Sequence, residues 1–311
     1  MRNILVTGGS GVIGKEIIKL LIESGRKVYN IDLVETKENK DHSEDSYYFI
    51  QEDLNKITEE QILEINPEKI FHLSATFERT SESFEHFGSN YYSNIASTHN
   101  LLEKITKLDN LKKFIFASSY LIYDPNLYLF PWPSKTPFYL KEDDEKSPRN
   151  LTGSSKYFNE KEIRFFFENK LNANFISARI FRGYGLGSKD FISNSIKKVL
   201  NKETLNIYNP EGCFDYLYSV DAAIGLIKLA ETEYSGEINL GVGKSRSIDS
   251  VLEKIEKVCG KFNYNITIEA DANYENSASD NTLLNSKIGW TPSYNFQKSI
   301  EEIVTYHSKY R

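Results

Sequence analysis

Hydrophobic residues in this chain fall into short continuous runs, separated by longer stretches in which they recur every three or four positions. Asn3–Thr7, Lys27–Asp32, residues 47–53, 69–75 and 112–118, and Asn174–Ile180 read as strands. Several are apolar throughout their centres, as in Ile4-Leu5-Val6 and Phe114-Ile115-Phe116. Such strands are buried on both faces, as in a parallel sheet covered by helices. Between the first two, residues 14–24 set Ile17, Ile18, Leu21 and Ile22 at helical spacing, and Gly25 follows as a stop. Residues 90–108 and 155–169 repeat the helical pattern. Repeated strand–helix units predict an α/β fold with a doubly wound parallel sheet of the Rossmann type.

Beyond residue 180 the alternation becomes irregular. Phe191–Leu200 and residues 251–258 read as helices, and residues 237–240 as one more strand. The pattern predicts a nucleotide-binding domain over residues 1–180, its sheet completed by about 207–240. A smaller C-terminal substrate-binding lobe takes 181–206 and 241–311, with a cleft at the carboxyl ends of the strands. Residues 127–140 are rich in aromatics and proline (Phe130-Pro131-Trp132-Pro133), and a charged run, 142–146, follows them. This reads as a long ordered loop, either packed on the surface or a dimer contact, or placed over the active site.

Composition narrows the function. Of 311 residues, 40% are hydrophobic and 26% charged, the balance of a water-soluble globular chain. A net charge of −6 gives no general nucleic-acid-binding surface. Cys213 and Cys259 are the two cysteines and share no metal-ligand spacing, so neither a disulfide framework nor a zinc site is expected. The N-terminal apolar run is too short for a signal peptide, and no run is long enough to span a bilayer; the expectation is a cytoplasmic protein.

The chemistry begins at Thr7-Gly8-Gly9-Ser10-Gly11-Val12-Ile13-Gly14. This glycine-rich turn leaves the first strand and opens the first helix, the context in which such a turn cradles a pyrophosphate. Gly8, Gly11, Val12, Ile13 and Gly14 are the expected contacts. Asp32 ends the second strand, where a carboxylate accepts hydrogen bonds from both ribose hydroxyls of NAD and repels the 2′-phosphate of NADP. NAD is therefore the expected cofactor. His72, in a buried-type strand, reads as structural rather than as a ligand.

Later segments carry a resemblance. Asp53-Leu54, Phe71-His72-Leu73-Ser74-Ala75, Asn94, Arg179-Ile180-Phe181-Arg182-Gly183-Tyr184-Gly185, Asp215-Tyr216-Leu217-Tyr218 with Asp221, and Ile288-Gly289-Trp290-Thr291-Pro292 follow one another in an informative order. In them the chain resembles the extended short-chain dehydrogenase/reductases, the NAD-dependent epimerase/dehydratase group that acts mostly on nucleotide sugars. The resemblance implies that Asp53, Leu54, Leu73, Ser74, Ala75, Asn94 and Phe181 line the cofactor. It also implies a homodimer formed through the helices around Asn90 and Ser155.

That family uses a Ser/Thr, a Tyr and a Lys. By resemblance Ser119 orients the reacting oxygen, and Lys156, in Gly153-Ser154-Ser155-Lys156, holds the nicotinamide ribose. The tyrosine is missing: Thr152 stands four residues before Lys156, and a threonine hydroxyl is far too weak an acid to replace a tyrosinate. Tyr120 taking its place, supply by substrate or water, and loss of the step all remain open. The arginine that family members often place before the Asp-Phe motif is Phe214 here, which leaves Arg182, Tyr184 and Arg246 as candidate substrate contacts. The acidic pair of the family dehydratases is replaced by Tyr120 and Leu121, against 4,6-dehydration. The expected activity is hydride transfer by an epimerase or dehydrogenase on a nucleotide-activated sugar. A regulatory NAD-binding protein and a reductase of another carbonyl compound are the alternatives.

Overall fold

The computed structural model describes residues 3–43, 45–77, 83–269 and 272–309. The chain divides into two compact units, the first comprising Met1–Tyr123, Lys146–Arg179 and Ala223–Ile238. At its centre is a seven-stranded sheet: β1 (Asn3–Thr7), β2 (Lys27–Asp32), β3 (Tyr47–Gln51), β4 (Lys69–His72), β5 (Lys113–Ser119), β6 (Asn174–Ile180) and β7 (Gly236–Leu240). Their spatial order is β7-β6-β5-β4-β1-β2-β3. The pairings from β3 through β2, β1 and β4 to β5 are parallel. The chain builds outwards from β1 to β3, then returns to lay β4 on the other side of β1. The carboxyl ends of β1 and β4 thus diverge at the reversal of strand order, where doubly wound sheets bind ligands.

The continuous apolar strands are buried as their pattern requires. Leu5, Ile31, Ile70, Phe114 and Phe116 share a core with Ile62, Leu101, Leu102, Ile105, Ile163 and Phe167 of the covering helices. Leu101, Leu102 and Ile105 lie on α2 (Ser97–Ile105), and Ile163 and Phe167 on α3 (Leu151–Asn169); α1 (Val12–Glu23) follows β1 and buries Ile17, Ile18 and Leu21. Asn150 caps α3, its side chain accepting from the Gly153 amide.

Several boundaries differ from the sequence expectation. β3 and β4 stop at Gln51 and His72, and the residues after them leave the ladder. The helix expected over 90–108 is α-helical at Phe84–Asn90, π-helical at Tyr91–Ala96 and α-helical again as α2. At the wide turn the Asn94 carbonyl accepts from the Thr98 hydroxyl and the Asn159 side-chain amide. Those side-chain donors compete with the regular backbone ladder. The pattern also missed helices at Glu59–Ile65, Ser219–Ala230, Thr282–Ile288 and Phe296–Lys309.

The second unit comprises Asp124–Glu145, Ile180–Ala222 and Asn239–Arg311. Its core gathers Ile192 and Ile196 with Leu205, Ile207, Tyr216, Val251, Ile255, Phe296 and Ile300. Two segments expected in the nucleotide-binding domain belong here. In the aromatic stretch, Leu129–Phe130 pairs with Tyr274–Glu275, and Phe138–Leu140 with Ser277–Ser279. Its backbone groups are satisfied by the later part of the chain, so it is a stitched part of this unit. Likewise Leu205–Tyr208 pairs with Tyr264–Thr267, and of residues 207–240 only β7 enters the central sheet.

Candidate cofactor and active site

The glycine turn sits at the switch point of the sheet. Gly8 has φ +73°, and a Cβ there would lie 2.6 Å from the Ser74 backbone nitrogen. At Gly14 a Cβ would stand 2.4 Å from the Gly8 carbonyl oxygen. Neither position accepts a side chain, because the chain after β4 and the first turn of α1 press directly on the loop. α1 starts from Gly11 with no side-chain cap and no acidic residue in its first turn. Its N-terminal amides and the positive end of its dipole are thus offered to an anion.

Asp32 accepts from the Ser10 amide (2.9 Å) and the Leu33 amide (2.7 Å), which fixes the carboxylate over the loop. Beside it opens a cleft of about 530 Å3 lined by Gly8, Ser10, Gly11, Asp32, Asp53, Leu54, Leu73, Ser74 and Ala75. All of these but Ser10 are residues that the sequence nominated. Val12, Ile13 and Gly14 form the first turn of α1. Asn94 is 1% exposed and brackets Thr76, accepting from its amide and donating to its carbonyl. The sequence reading missed Leu33, Val34, Asn55, Thr76, Tyr92, Ser93 and Ser97, which also line the cleft. The Tyr92 hydroxyl donates to Asp53 at 2.9 Å. Burial acts to raise the Asp53 pKa, but hydrogen bonds from Asn55 and Tyr92 outweigh it and hold the carboxyl below its usual range. Nothing short of the fold would single out Tyr92 among twenty tyrosines.

A buried polar chain ties the loop strand to α3. The Thr7 hydroxyl lies 2.7 Å from His72 Nδ1, and His72 Nε2 lies 2.9 Å from the Thr98 hydroxyl. Thr98 spends its one proton on the Asn94 carbonyl, so His72 must carry its proton on Nε2 and accept from Thr7 at Nδ1. Burial, with Lys156 adding to it, drives the His72 pKa down to about 3. The imidazole is therefore neutral at physiological pH, a structural role as expected.

Ser119 ends β5, its hydroxyl accepting from the Leu121 amide. Thr152 and Lys156 lie four residues apart on one face of α3, both buried. The Lys156 ammonium sits 4.6 Å from the centre of the Phe116 ring. Glu160 is one turn further on. Its carboxylate is taken by Ser118 (2.6 Å) and by two bonds from Arg179 (3.1 and 2.9 Å). Lys156 itself makes no hydrogen bond among the described residues. Burial lowers its pKa to about 8, with Glu160 opposing. Tyr123, four residues after Ser119, is fully buried and accepts from Arg179. Tyr120 is 5% exposed, with its hydroxyl 3.2 Å from Arg149 Nη2.

The second unit holds the remaining candidates. Arg182 stacks on Phe214, 3.8 Å from the ring centre. Phe214 pairs across two short strands with Arg246, whose guanidinium lies 4.6 Å from the centre of the Phe296 ring. A guanidinium thus lies on the very ring that replaces the expected arginine. Phe181 is buried, its amide bonded to the Leu240 carbonyl. Tyr184 corrects the sequence reading. It packs among Tyr216, Tyr218 and Phe296, its hydroxyl 2.7 Å from that of Ser299. It is a core residue of this unit, because its motif lies on a strand that faces inward.

Comparison with known proteins matches residues 4–241 to the NAD dependent epimerase/dehydratase family. The chain belongs to that family. Its relatives include UDP-glucose 4-epimerase of Mus musculus, 24% identical over 97% of this chain and 96% of the relative. They also include dTDP-4-dehydro-6-deoxyglucose reductase of Escherichia coli, 26% identical over 97% and 96%. Among solved structures, UDP-N-acetylglucosamine 4-epimerase from Methanobrevibacter ruminantium M1, in complex with UDP-N-acetylmuramic acid, aligns with a TM-score of 0.86 at 28% identity. That alignment covers 100% of this chain and 99% of that one.

This epimerase/dehydratase-family chain is an NAD-dependent enzyme, and its residues fit the cofactor. The crowded glycine loop and uncapped α1 suit the pyrophosphate, and Asp32 suits a ribose with no 2′-phosphate. The Lys156 ammonium, on a buried residue and with no hydrogen bond among the described residues, suits a second ribose. Among the described residues no three His, Cys, Asp or Glu side chains gather as a metal site. No helix among them is long and apolar enough to cross a membrane.

Proposed function

We propose that this protein is an NAD-dependent oxidoreductase, an epimerase or dehydrogenase, acting on a nucleotide-activated sugar. The observation that carries the reading is Lys156: its side chain is largely buried, yet its ammonium takes no hydrogen bond from the described residues, which leaves its donors for a ligand. Its place on the Thr152 face of α3 suits the hydroxyls of a nicotinamide ribose. NAD, when bound, would supply the hydride acceptor. Ser119, at the end of β5, donates a hydrogen bond to the reacting oxygen. Arg182 and Arg246 bind the diphosphate of the nucleotide, for which a planar guanidinium is suited. The names of the relatives above, all enzymes of nucleotide sugars, support this substrate class.

Thr152 favours a second reading, an NAD-holding protein whose catalysis has been lost. Purified protein loaded with NAD and mixed with a panel of UDP- and dTDP-sugars separates the two. A dehydrogenase develops the NADH absorbance band with at least one sugar; an epimerase, which returns the hydride, instead converts a sugar to its epimer, read by chromatography. A panel with neither NADH nor a changed sugar, with NAD demonstrably bound, sinks the first reading and leaves the second.

The proposal extends to a homodimer. Phe84, Phe87 and Tyr91, with Phe158 and Phe165 of α3, are exposed aromatics on helices of the first unit. An apolar surface of that kind suits a second copy. Light scattering that returns the mass of one chain at micromolar concentration would refute it.

A further inference from the structure

Thr152 leaves the proposed reaction without a proton acceptor at the usual place. A phenol held by a guanidinium stands beside it. The one-turn helix Tyr120–Ile122 begins directly after Ser119. It lies against the first turn of α3, where a Cβ on Gly153 would meet the Leu121 carbonyl oxygen at 2.4 Å. Tyr120 is therefore fixed next to both Ser119 and the helix end that carries Thr152. Arg149 comes from that same end, three residues before Thr152. The Asn150 cap directs the chain at this point, and Arg149 donates to the Tyr120 hydroxyl at 3.2 Å. Its guanidinium carbon lies 5.7 Å from the centre of the Tyr120 ring.

Tyr123 shows the contrasting case. It also accepts from an arginine, Arg179, but that guanidinium is committed to Glu160 through two hydrogen bonds. The Tyr123 pair is part of a neutralised buried cluster on the far side of Ser118. The Tyr120 pair lies at the Ser119 end.

We propose that Tyr120 is the proton acceptor and donor of this site and that Arg149 is its positioning residue. The assignment rests on the hydride-transfer reading above. In the oxidising direction the Tyr120 phenolate oxygen takes the proton of the sugar hydroxyl as that O–H bond breaks and the C=O bond forms. Bound NAD+, the oxidant already named, would accept the hydrogen on the same carbon with its electron pair. The reverse step returns both. Arg149 holds the phenol in place and supplies the counter-charge that a phenolate requires in a buried setting.

Two measurements test this. In protein labelled with carbon-13 at the tyrosine Cζ, Tyr120→Phe identifies the Tyr120 signal by its loss. Arg149→Gln then raises the pH at which that signal titrates by about one unit, and Arg149→Lys restores most of the change. In the second, Tyr120→Phe binds NAD as tightly as the parent protein, while NADH formation with the active sugar slows by about 10²- to 10⁴-fold. Full-rate NADH formation by Tyr120→Phe overturns the assignment alone, as does a titration that ignores Arg149. Failure of the parent protein either to reduce NAD with any sugar or to convert any sugar to its epimer removes the underlying reading, and the assignment falls with it. The two failures therefore appear in different samples.

Discussion

Lys156→Met should make the cofactor-free protein more stable and the loaded protein useless. A lysine ordinarily titrates near 10.5, and burial brings Lys156 to about 8. At about 1.4 kcal/mol per pH unit, holding the charged form inside the fold costs about 3 kcal/mol. Below pH 8 both the folded and the unfolded chain carry the proton, so the whole penalty opposes folding. Between 8 and 10.5 the folded amine is neutral while the unfolded one is still charged. Folding then releases a proton, and stability climbs with pH; above 10.5 the penalty is gone. Methionine keeps the stem and removes the charge. It also forfeits the Phe116 ring contact, worth about 1 kcal/mol. The variant should therefore exceed the parent by about 2 kcal/mol near neutrality, with the gap closing as pH rises through the window. Scanning calorimetry of both proteins at a series of pH values reads this directly. Added NAD should reverse the order, because ribose hydroxyls complete the parent's ammonium and leave the variant with none. A methionine variant less stable than the parent at neutrality, or a gap that is flat with pH, would refute the account of Lys156 as an ammonium awaiting a ligand.

Other substitutions probe the remaining parts of the site. Gly8→Ala puts a Cβ 2.6 Å from the Ser74 nitrogen at φ +73°, a strain of about 1–3 kcal/mol before the clash is counted; calorimetric titration should show NAD affinity down at least about tenfold. Asp32→Ser removes the charge that repels a 2′-phosphate and the acceptor for Ser10, so the ratio of NADP to NAD affinity should rise by about tenfold or more; an unchanged ratio would mean that Asp32 does not face the ribose. Arg182→Met keeps a flexible side chain on Phe214 but loses the charge, and should weaken nucleotide-sugar binding by about 1.5–3 kcal/mol with NAD binding unaffected; equal weakening of both ligands would place Arg182 outside the substrate site.

What the sequence disclosed and what it withheld follow from how far apart the deciding residues lie. β1 was legible to the residue because a strand buried on both faces is apolar along its own length; β2 and β6, which carry Asn30 and Arg179 among their buried residues, were legible from their β-branched and aromatic residues. The glycine loop was legible because its glycines stand together between a strand and a helix, although the groups that hold it, Asn30, Asp32 and Asn39, lie 21 to 30 residues away. The π-helical turn at Tyr91–Ala96 was not, since it depends on Asn159 bonding back to Asn94 across 65 residues. Residues 127–140 read as a loop because their pairing partners lie at 274–279. Tyr184 fits its motif, yet a motif fixes order along the chain and not depth, and Ser299 claims its hydroxyl from 115 residues away. The same logic governs the missing tyrosine. Lys156 looks like an ordinary family lysine in sequence. Its isolation exists only because Arg179, 19 residues beyond Glu160, has already neutralised the carboxylate one turn away. Likewise Thr152 reads as a loss when position 152 is inspected alone. The guanidinium at Arg149 and the phenol at Tyr120 are 29 residues apart, and they form a pair only once the turn after Ser119 has packed on the start of α3. A catalytic group that moves from one element to its neighbour leaves a gap in the motif and a match in space. For that reason position 120, rather than position 152, is where the proton chemistry of this enzyme should be sought.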